Sequence, residues 1–167
     1  MRYNLKTPGD CTPEEKDSFF QMEKEANKVA KATLRASIER ARLLAFCYDK
    51  SSLVGIGSIK YPTDSYKKKV FKSANYTLPA DLKYELGYIY TIKSHEGMGI
   101  ASSIIARLLA AEKSVSMFAT TDLTQKEMQH ILENHQFKKC GVSYKSGRGS
   151  HSLVLYVRSD PTQQSSR

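Results

Sequence analysis

The sequence predicts an α/β (α+β) fold, and three observations carry that prediction. Between Tyr84 and Glu112 an apolar strand-like run, a short loop holding Gly97-Met98-Gly99 and an apolar helix-like run follow one another. Two stretches of alternating apolar residues, 43–61 and 141–157, each read as a hairpin. Apolar residues at helical spacing fill the first third of the chain and recur over Gln125–His135.

Taken in order, Arg2–Leu5 reads as a short first strand before a turn at Thr7-Pro8-Gly9-Asp10. Thr12-Pro13-Glu14-Glu15 then has the chemistry of a helix start: a capping hydroxyl, proline at the first helical position and carboxylates against the positive end of the dipole. Phe19, Met22, Ala26, Val29 and Ala30 form one stripe, and Leu34, Ile38 and Ala41 continue it. No glycine or proline interrupts residues 14–54, so one long helix and two helices meeting at a bend both fit. The hairpin follows as Leu43–Tyr48, a turn at Asp49-Lys50-Ser51-Ser52, and Leu53–Tyr61, in which Gly55 and Gly57 mark a bulge or a close neighbour or, more simply, are ordinary small strand residues. Pro62–Leu82 is polar, basic and broken by Pro79, and reads as a long connection of the kind that covers a site.

The stretch 85–92 is rich in the β-branched and aromatic residues that suit a pleated, buried surface. Past the two glycines, Ile100, Ile104, Ile105, Leu108 and Leu109 recur at helical spacing, with alanines supplying propensity. A helix start has N–H groups without internal partners and a partial positive charge, so a bare-backbone loop there can receive a phosphate. A strand-to-helix turn that needs positive φ and binds nothing accounts for the same glycines equally well. A P-loop is excluded, because Gly99 is followed by Ile100-Ala101 rather than Lys-Ser/Thr. A dinucleotide-binding unit is favoured by Asp122, about twenty residues further on. Against it, Ser102 stands where the third glycine belongs, and 45 residues after Asp122 are too few for the rest of a doubly wound sheet.

Downstream, a strand at Val115–Thr120 and a helix over Gln125–His135 with Met128, Ile131 and Leu132 as its buried stripe lead to Gln136-Phe137 and the last hairpin. The strand, the run Ser94-His95-Glu96-Gly97-Met98-Gly99-Ile100-Ala101 and the following Ile/Leu/Ala helix resemble the coenzyme A loop of the GNAT acetyltransferases, whose pattern is Arg/Gln-x-x-Gly-x-Gly/Ala. Ser94 departs from the pattern at its first position, and Gln136-Phe137 stands where the family usually has Gly-Phe. The likeness covers residues 84–157, and residues 1–83 share element order alone.

The resemblance implies a mixed, mostly antiparallel central sheet flanked by helices, two helices over residues 14–41, and acetyl transfer from acetyl-coenzyme A to a primary amine by direct attack. It implies a pyrophosphate on Gly97, Met98, Gly99, Ile100 and Ala101, and a pantetheine arm paired with the backbone near Thr91 and Ile92. Direct transfer needs an unprotonated amine, and Glu85 at the beginning of the central strand is the carboxylate that would take the proton. An ordinary strand-end carboxylate fits Glu85 as well. Many family members protonate the leaving group with a tyrosine in the last helix, where Leu132 stands here; Tyr88 and Tyr90 are strand alternatives, although aromatic strand residues are more often core.

Composition bounds the partners. At 167 residues the chain reads as one domain over 1–160 with a disordered polar tail over 161–167. No apolar run approaches the roughly 20 residues that span a bilayer, and Met1–Asp10 has no signal-peptide pattern, so a cytoplasmic protein without a membrane partner is expected. Cys11, Cys47 and Cys140 are far apart and read as reduced thiols; neither they nor His95, His130, His135 and His151 have metal-ligand spacing. A net charge of +9 points to anionic partners. Coenzyme A satisfies it, and so does nucleic acid. The clusters Lys67-Lys68-Lys69 with Lys72, and Lys138-Lys139 with Lys145 and Arg148, are of the kind more often solvated than bound, although Tyr66, Phe71 and Tyr76 flank the first. A non-catalytic basic module on the same scaffold, holding nucleic acid or a protein, is therefore the alternative. The acceptor and the oligomeric state are not legible in the sequence.

Overall fold

The computed structural model of the chain describes residues 1–27, 31–147 and 149–162. Val29 and Ala30 of the expected helical stripe, Arg148 of the second basic cluster and residues 163–167 of the expected tail lie outside the described residues. Among the described residues there are five α-helices and seven strands, and the strands form a mixed, mostly antiparallel sheet in the order β1-β2-β3-β4-β5-β7-β6. The chain divides into two compact units, 1–61 with 86–112 and 62–85 with 113–167.

In the first unit β1 (Arg2–Lys6), β2 (Leu43–Asp49) and β3 (Ser52–Lys60) pair antiparallel, and β4 (Tyr84–Thr91) follows β3 in the strand order. Helices α1 (Pro13–Asn27) and α2 (Lys31–Glu39) occupy the stretch read as helical, and the place where one helix would divide into two lies outside the described residues. Helix α1 starts with a capping box: Glu15 N–H donates to Thr12 Oγ1 at 3.1 Å, and Thr12 N–H donates to Glu15 Oε2 at 2.9 Å. Phe19, Phe20, Leu34 and Ile38 from these helices bury against Leu44, Phe46 and Ile56 of the strands. The alternate strand residues face α4 (Ile100–Ala111). There Gly55 and Gly57 mark a close neighbour rather than ordinary small strand residues, because a Cβ at either position would overlap Ile100 or Ile104. Their missing side chains let α4 lie directly on β3.

In the second unit β5 (Met117–Asp122) pairs antiparallel with β7 (Ser152–Arg158), and β7 pairs with β6 (Lys138–Lys145). The first residues of β4 run parallel to β5, Tyr84 opposite Met117 and Glu85 opposite Phe118. The expected long connection over 62–82 is corrected: Asp64–Ser73 form a helix, α3. Thr63 caps it, accepting from Tyr66 N–H at 3.3 Å, and Asp64 adds charge in the first turn. Tyr66, Val70, Phe71 and Ala74 lie on one face, and the last three are buried with Phe118, Leu155 and Val157. Helix α5 (Lys126–Asn134) serves the other face of these strands, where Tyr156 donates to Glu133 Oε1 at 3.1 Å. Leu132 is buried as expected, Met128 and Ile131 are half-buried, and Gln129 is buried among them because its amide donates to the carbonyls of Asp122 and Leu123.

Candidate active site

The loop after β4 is built by backbone geometry. Lys93–His95 make one tight turn, and Gly97 and Gly99 both adopt left-handed φ, +75° and +73°. Such angles cost an L-residue with a side chain about 1–2 kcal/mol, which is why both positions are glycine. A Cβ on either glycine would meet nothing within 4 Å, so the space beside both Cα atoms is open. Gly99 is the residue before α4, and its carbonyl accepts from Ser103 N–H at 3.0 Å. The N–H groups of Ile100 and Ala101 belong to the first helical turn and have no intrahelical acceptor. Ile100 contributes main chain alone, because its side chain is buried against β3, whereas Met98 is 60% exposed.

The position where the family carries Arg or Gln is engaged within the protein. Ser94 Oγ lies 2.9 Å from His95 Nδ1, and His95 Nε2 lies 3.3 Å from Asp49 Oδ2 at the β2–β3 turn. This pair tethers the base of the glycine loop to the hairpin.

At the end of β4, Ile92 N–H donates to Val54 of β3 at 3.0 Å, and its carbonyl accepts from His95 N–H at 2.9 Å. Backbone groups alternate sides along a strand, so those of Thr91 project to the edge away from β3. The Thr91 hydroxyl is buried and has no hydrogen-bond partner. Open space beside two glycines, first-turn amides and an orphaned hydroxyl on the preceding strand are groups that a pyrophosphate with an extended arm uses, so these residues fit coenzyme A.

Glu85 lies at the other end of β4, six positions before Thr91, and is 4% exposed. Tyr66 on α3 donates its hydroxyl to Glu85 Oε1 at 3.2 Å, with its ring tilted against Phe118 at 6.4 Å. Although 39% of Tyr66 is exposed, its hydroxyl end is enclosed. That burial, with the Glu85 charge beside it, holds the phenol well above its usual range. Tyr144 on β6 belongs to the same neighbourhood. Burial, and then the Glu85 charge, push its phenol up to about 12. Tyr66 is not singled out by sequence reasoning as a partner of Glu85, since the two meet only through long-range packing of α3 and β4.

The other sequence candidates fall elsewhere. Leu132 is a core residue at 2% exposure and carries no proton. Tyr88 packs edge-on against Phe19 at 6.1 Å with the Lys60 ammonium 4.5 Å from its ring centre, and Tyr90 is half-buried on the same cluster. Tyr88 also has φ +54°, a left-handed residue that bends β4 in mid-strand. Asp122, weighed as a ribose ligand, instead accepts from Thr124 N–H and hydroxyl at 2.8 and 2.6 Å, bonds that hold its carboxyl below the usual range. Lys68, Lys69 and Lys72 on α3 and Lys138, Lys139 and Lys145 on β6 are all exposed. The three cysteines are free thiols, Cys11 and Cys47 buried and Cys140 half-buried. Among the described residues no group of His, Cys, Asp and Glu is placed to hold a metal, and no helix is long and apolar enough to cross a membrane.

Comparison with solved structures gives the fold a name. No protein-family model matches the chain. No curated protein matches it in sequence. An acyl-CoA N-acyltransferase from Pseudomonas aeruginosa is similar over 95% of this chain and 100% of its own, with a TM-score of 0.70 and 11% identity. NAA60 from Arabidopsis thaliana, solved with a bisubstrate analogue, is similar over 93% and 97%, with a TM-score of 0.67 and 11% identity. The ribosomal-protein-S18-alanine N-acetyltransferase from Escherichia coli is similar over 94% and 93%, with a TM-score of 0.65 and 9% identity. The fold is that of the GNAT acyl-CoA N-acyltransferases.

Proposed function

We propose that this chain, with its GNAT fold, transfers an acetyl group from acetyl-coenzyme A to a primary amine. The observation that carries the reading is the bend at Gly97 and Gly99: two left-handed glycines with open space beside them, at the start of a helix. Backbone N–H groups of Gly97, Met98, Gly99, Ile100 and Ala101 would hold the pyrophosphate, and the open side is the room it needs. Thr91, with its outward-facing backbone and orphaned hydroxyl, would hold the arm, with Ile92 bounding it through main chain already bonded to β3 and the loop. Acetyl-coenzyme A supplies an acyl group activated as a thioester.

The protein's own task is proton management. Glu85 accepts the proton that an ammonium must lose before its nitrogen can attack, and the Tyr66 hydroxyl fixes the orientation of that carboxylate. Burial at 4% exposure keeps bulk water from competing for the carboxylate. In the position of the family's leaving-group tyrosine Leu132 can donate nothing, so the reading assigns no general acid there.

A second reading is favoured by two observations: Leu132 is core, and Ser94 is spent on His95 rather than free for a phosphate. In it the chain is a non-catalytic basic module for nucleic acid or protein, using the exposed lysines of α3 and β6. Thermal melting with acetyl-coenzyme A, with coenzyme A and with a short RNA separates the two, because a ligand of the folded state raises the melting temperature by mass action. A rise with micromolar acetyl-coenzyme A, followed by product from a panel of amines and N-terminal peptides, supports acetyl transfer. A rise with RNA alone supports the module.

A further inference from the structure

The positive charge of the chain is gathered in its second unit. Residues 62–85 and 113–167 carry thirteen lysines and arginines against seven aspartates and glutamates, whereas the first unit carries thirteen against ten. Six of those seven carboxylates are bonded inside the unit, Asp64 to Lys67 and the others to hydroxyls or main-chain N–H groups. Lys68, Lys69 and Lys72 on α3 and Lys138, Lys139 and Lys145 on β6 are left uncompensated. All six are exposed, and among the described residues none has a carboxylate within ion-pair distance.

The fold joins these two clusters into one surface. At about 100° per residue the three lysines of α3 stand opposite its buried Val70, Phe71 and Ala74. Strand β6 is the last of the sheet, so its lysines are spread along an edge of about 20 Å. Helix α3 is docked on that strand: Val142 N–H donates to the Ala74 carbonyl at 2.8 Å, and Gly141 has no Cβ to obstruct it. The Lys69 ammonium lies 3.7 Å from where a Cβ on Gly147 would stand, beside the β6–β7 turn. Where helix and strand meet, Tyr76 is 42% exposed and Val142 55%. Of the three aromatic residues that flank the α3 lysines in sequence, Phe71 is buried and the hydroxyl end of Tyr66 is enclosed, which leaves Tyr76 as the open ring.

Uncompensated ammonium groups attract a polyanion by releasing its counterions, and an open aromatic ring among them adds stacking on an unpaired base. A duplex keeps its base faces stacked on one another, and the carboxylates of an acidic protein offer no ring to Tyr76. We propose that the α3–β6 face binds a single-stranded polynucleotide, the six exposed lysines neutralising its phosphates and Tyr76 stacking on one of its bases. This rests on the basic-module reading for its charge, and it does not require that the chain be non-catalytic.

The test is fluorescence anisotropy with the full chain and no cofactor, using a labelled uridine dodecamer, the corresponding thymidine DNA strand, a DNA duplex of the same length and poly-glutamate, from about 50 to 200 mM salt. Either single strand should bind more tightly than the duplex, the tighter of the two identifying the sugar, and poly-glutamate should bind more weakly than both. Lys69→Ala should weaken single-strand binding several-fold and make the slope of log affinity against log salt shallower by about 0.7, the share of one phosphate contact. Tyr76→Leu should weaken it about tenfold with the slope unchanged, because it removes a stack and no charge. Arg40→Ala, at an exposed cation of the first unit, is the control and should bind as the wild type does. Equal binding of strand and duplex, a Tyr76→Leu variant that binds like the wild type, or a loss in Arg40→Ala equal to that in Lys69→Ala overturns the proposal. Each is what diffuse attraction to a chain of net charge +9 gives. Binding of poly-glutamate with no affinity for either strand also overturns it and leaves a basic module for protein standing. Single-strand binding by a chain that also acetylates an amine supports the proposal and removes only the non-catalytic part of the second reading.

Discussion

The Tyr66 hydroxyl donates to the Glu85 carboxylate at 3.2 Å from the first turn of α3, so a helix within a polar, lysine-rich stretch supplies the partner of the proposed base. Tyr66→Phe keeps the ring beside Phe118 and removes one donor to a buried charge. It should cost about 1.5–3 kcal/mol of stability and lower turnover about tenfold, with acetyl-coenzyme A affinity unchanged. Glu85→Gln should depress acetylation further and likewise spare cofactor binding. Denaturant unfolding, steady-state rates and a binding titration measure all three quantities, and full turnover in Glu85→Gln removes that residue as the base.

The glycine bend makes a separable prediction, because the two costs of a side chain there act on different measurements. Gly99→Val forces a β-branched residue to φ +73°, a strain of about 1–2 kcal/mol in unfolding. It also fills the open side of the bend and should weaken acetyl-coenzyme A at least about tenfold. Met98→Ala, between the glycines with its side chain in solvent, is the control and should leave affinity unaltered. Undiminished affinity in Gly99→Val would contradict a pyrophosphate at this loop.

Much of this architecture is legible locally. The strand, the two glycines and the Ile/Leu stripe of α4 announce one another, since each signal lies within a few residues of the next. Thr12-Pro13-Glu14-Glu15 foretells the capping box because capping is a four-residue affair. Helix α3 is hidden because four residues, Tyr66, Val70, Phe71 and Ala74, carry its apolar face amid Lys67, Lys68, Lys69 and Lys72. The close approach at Gly55 and Gly57 is set by α4, far along the chain, and no neighbouring residue signals it. The same holds for Glu85 and Tyr66. Glu85 is named alone as the candidate base and Tyr66 only as a flank of the lysine cluster, and their pairing exists only once α3 is folded against β4.

Two buried phenols predict how stability responds to alkali. Burial first, then a nearby carboxylate, push Tyr144 and Tyr156 up to about 12, the second also through its bond to Glu133. The unfolded chain releases these protons near pH 10, while the native protein keeps them to about pH 12. Between those values the unfolded state binds fewer protons, so stability is level below pH 10 and falls as the pH rises. Each tyrosine approaches a slope of about 1.4 kcal/mol per pH unit in that window. Urea unfolding from pH 8 to 11.5 should show the fall, and Tyr144→Phe should flatten it by one residue's share. Parallel curves for the two proteins would refute the assignment.

Gln136 offers a gain rather than a loss. Helix α5 ends with Phe137 N–H donating to Leu132 at 3.0 Å and Gln136 N–H donating to Glu133 at 3.0 Å, a Schellman pair in which Leu132 and Phe137 also bury together. This termination needs a left-handed residue at Gln136, whose φ is +68°, and glycine is the usual occupant. The side chain costs about 1–2 kcal/mol at that angle, and glycine gives back about 0.5–1 kcal/mol in extra unfolded-state entropy. Gln136→Gly should therefore stabilise the chain by about 0.5–1 kcal/mol, a rise of about 1–4 °C in melting temperature for a chain of this size. Gln136→Ala keeps the strained angle and should give no such rise; if the two variants melt together, the left-handed cap is not what limits the stability of this helix end.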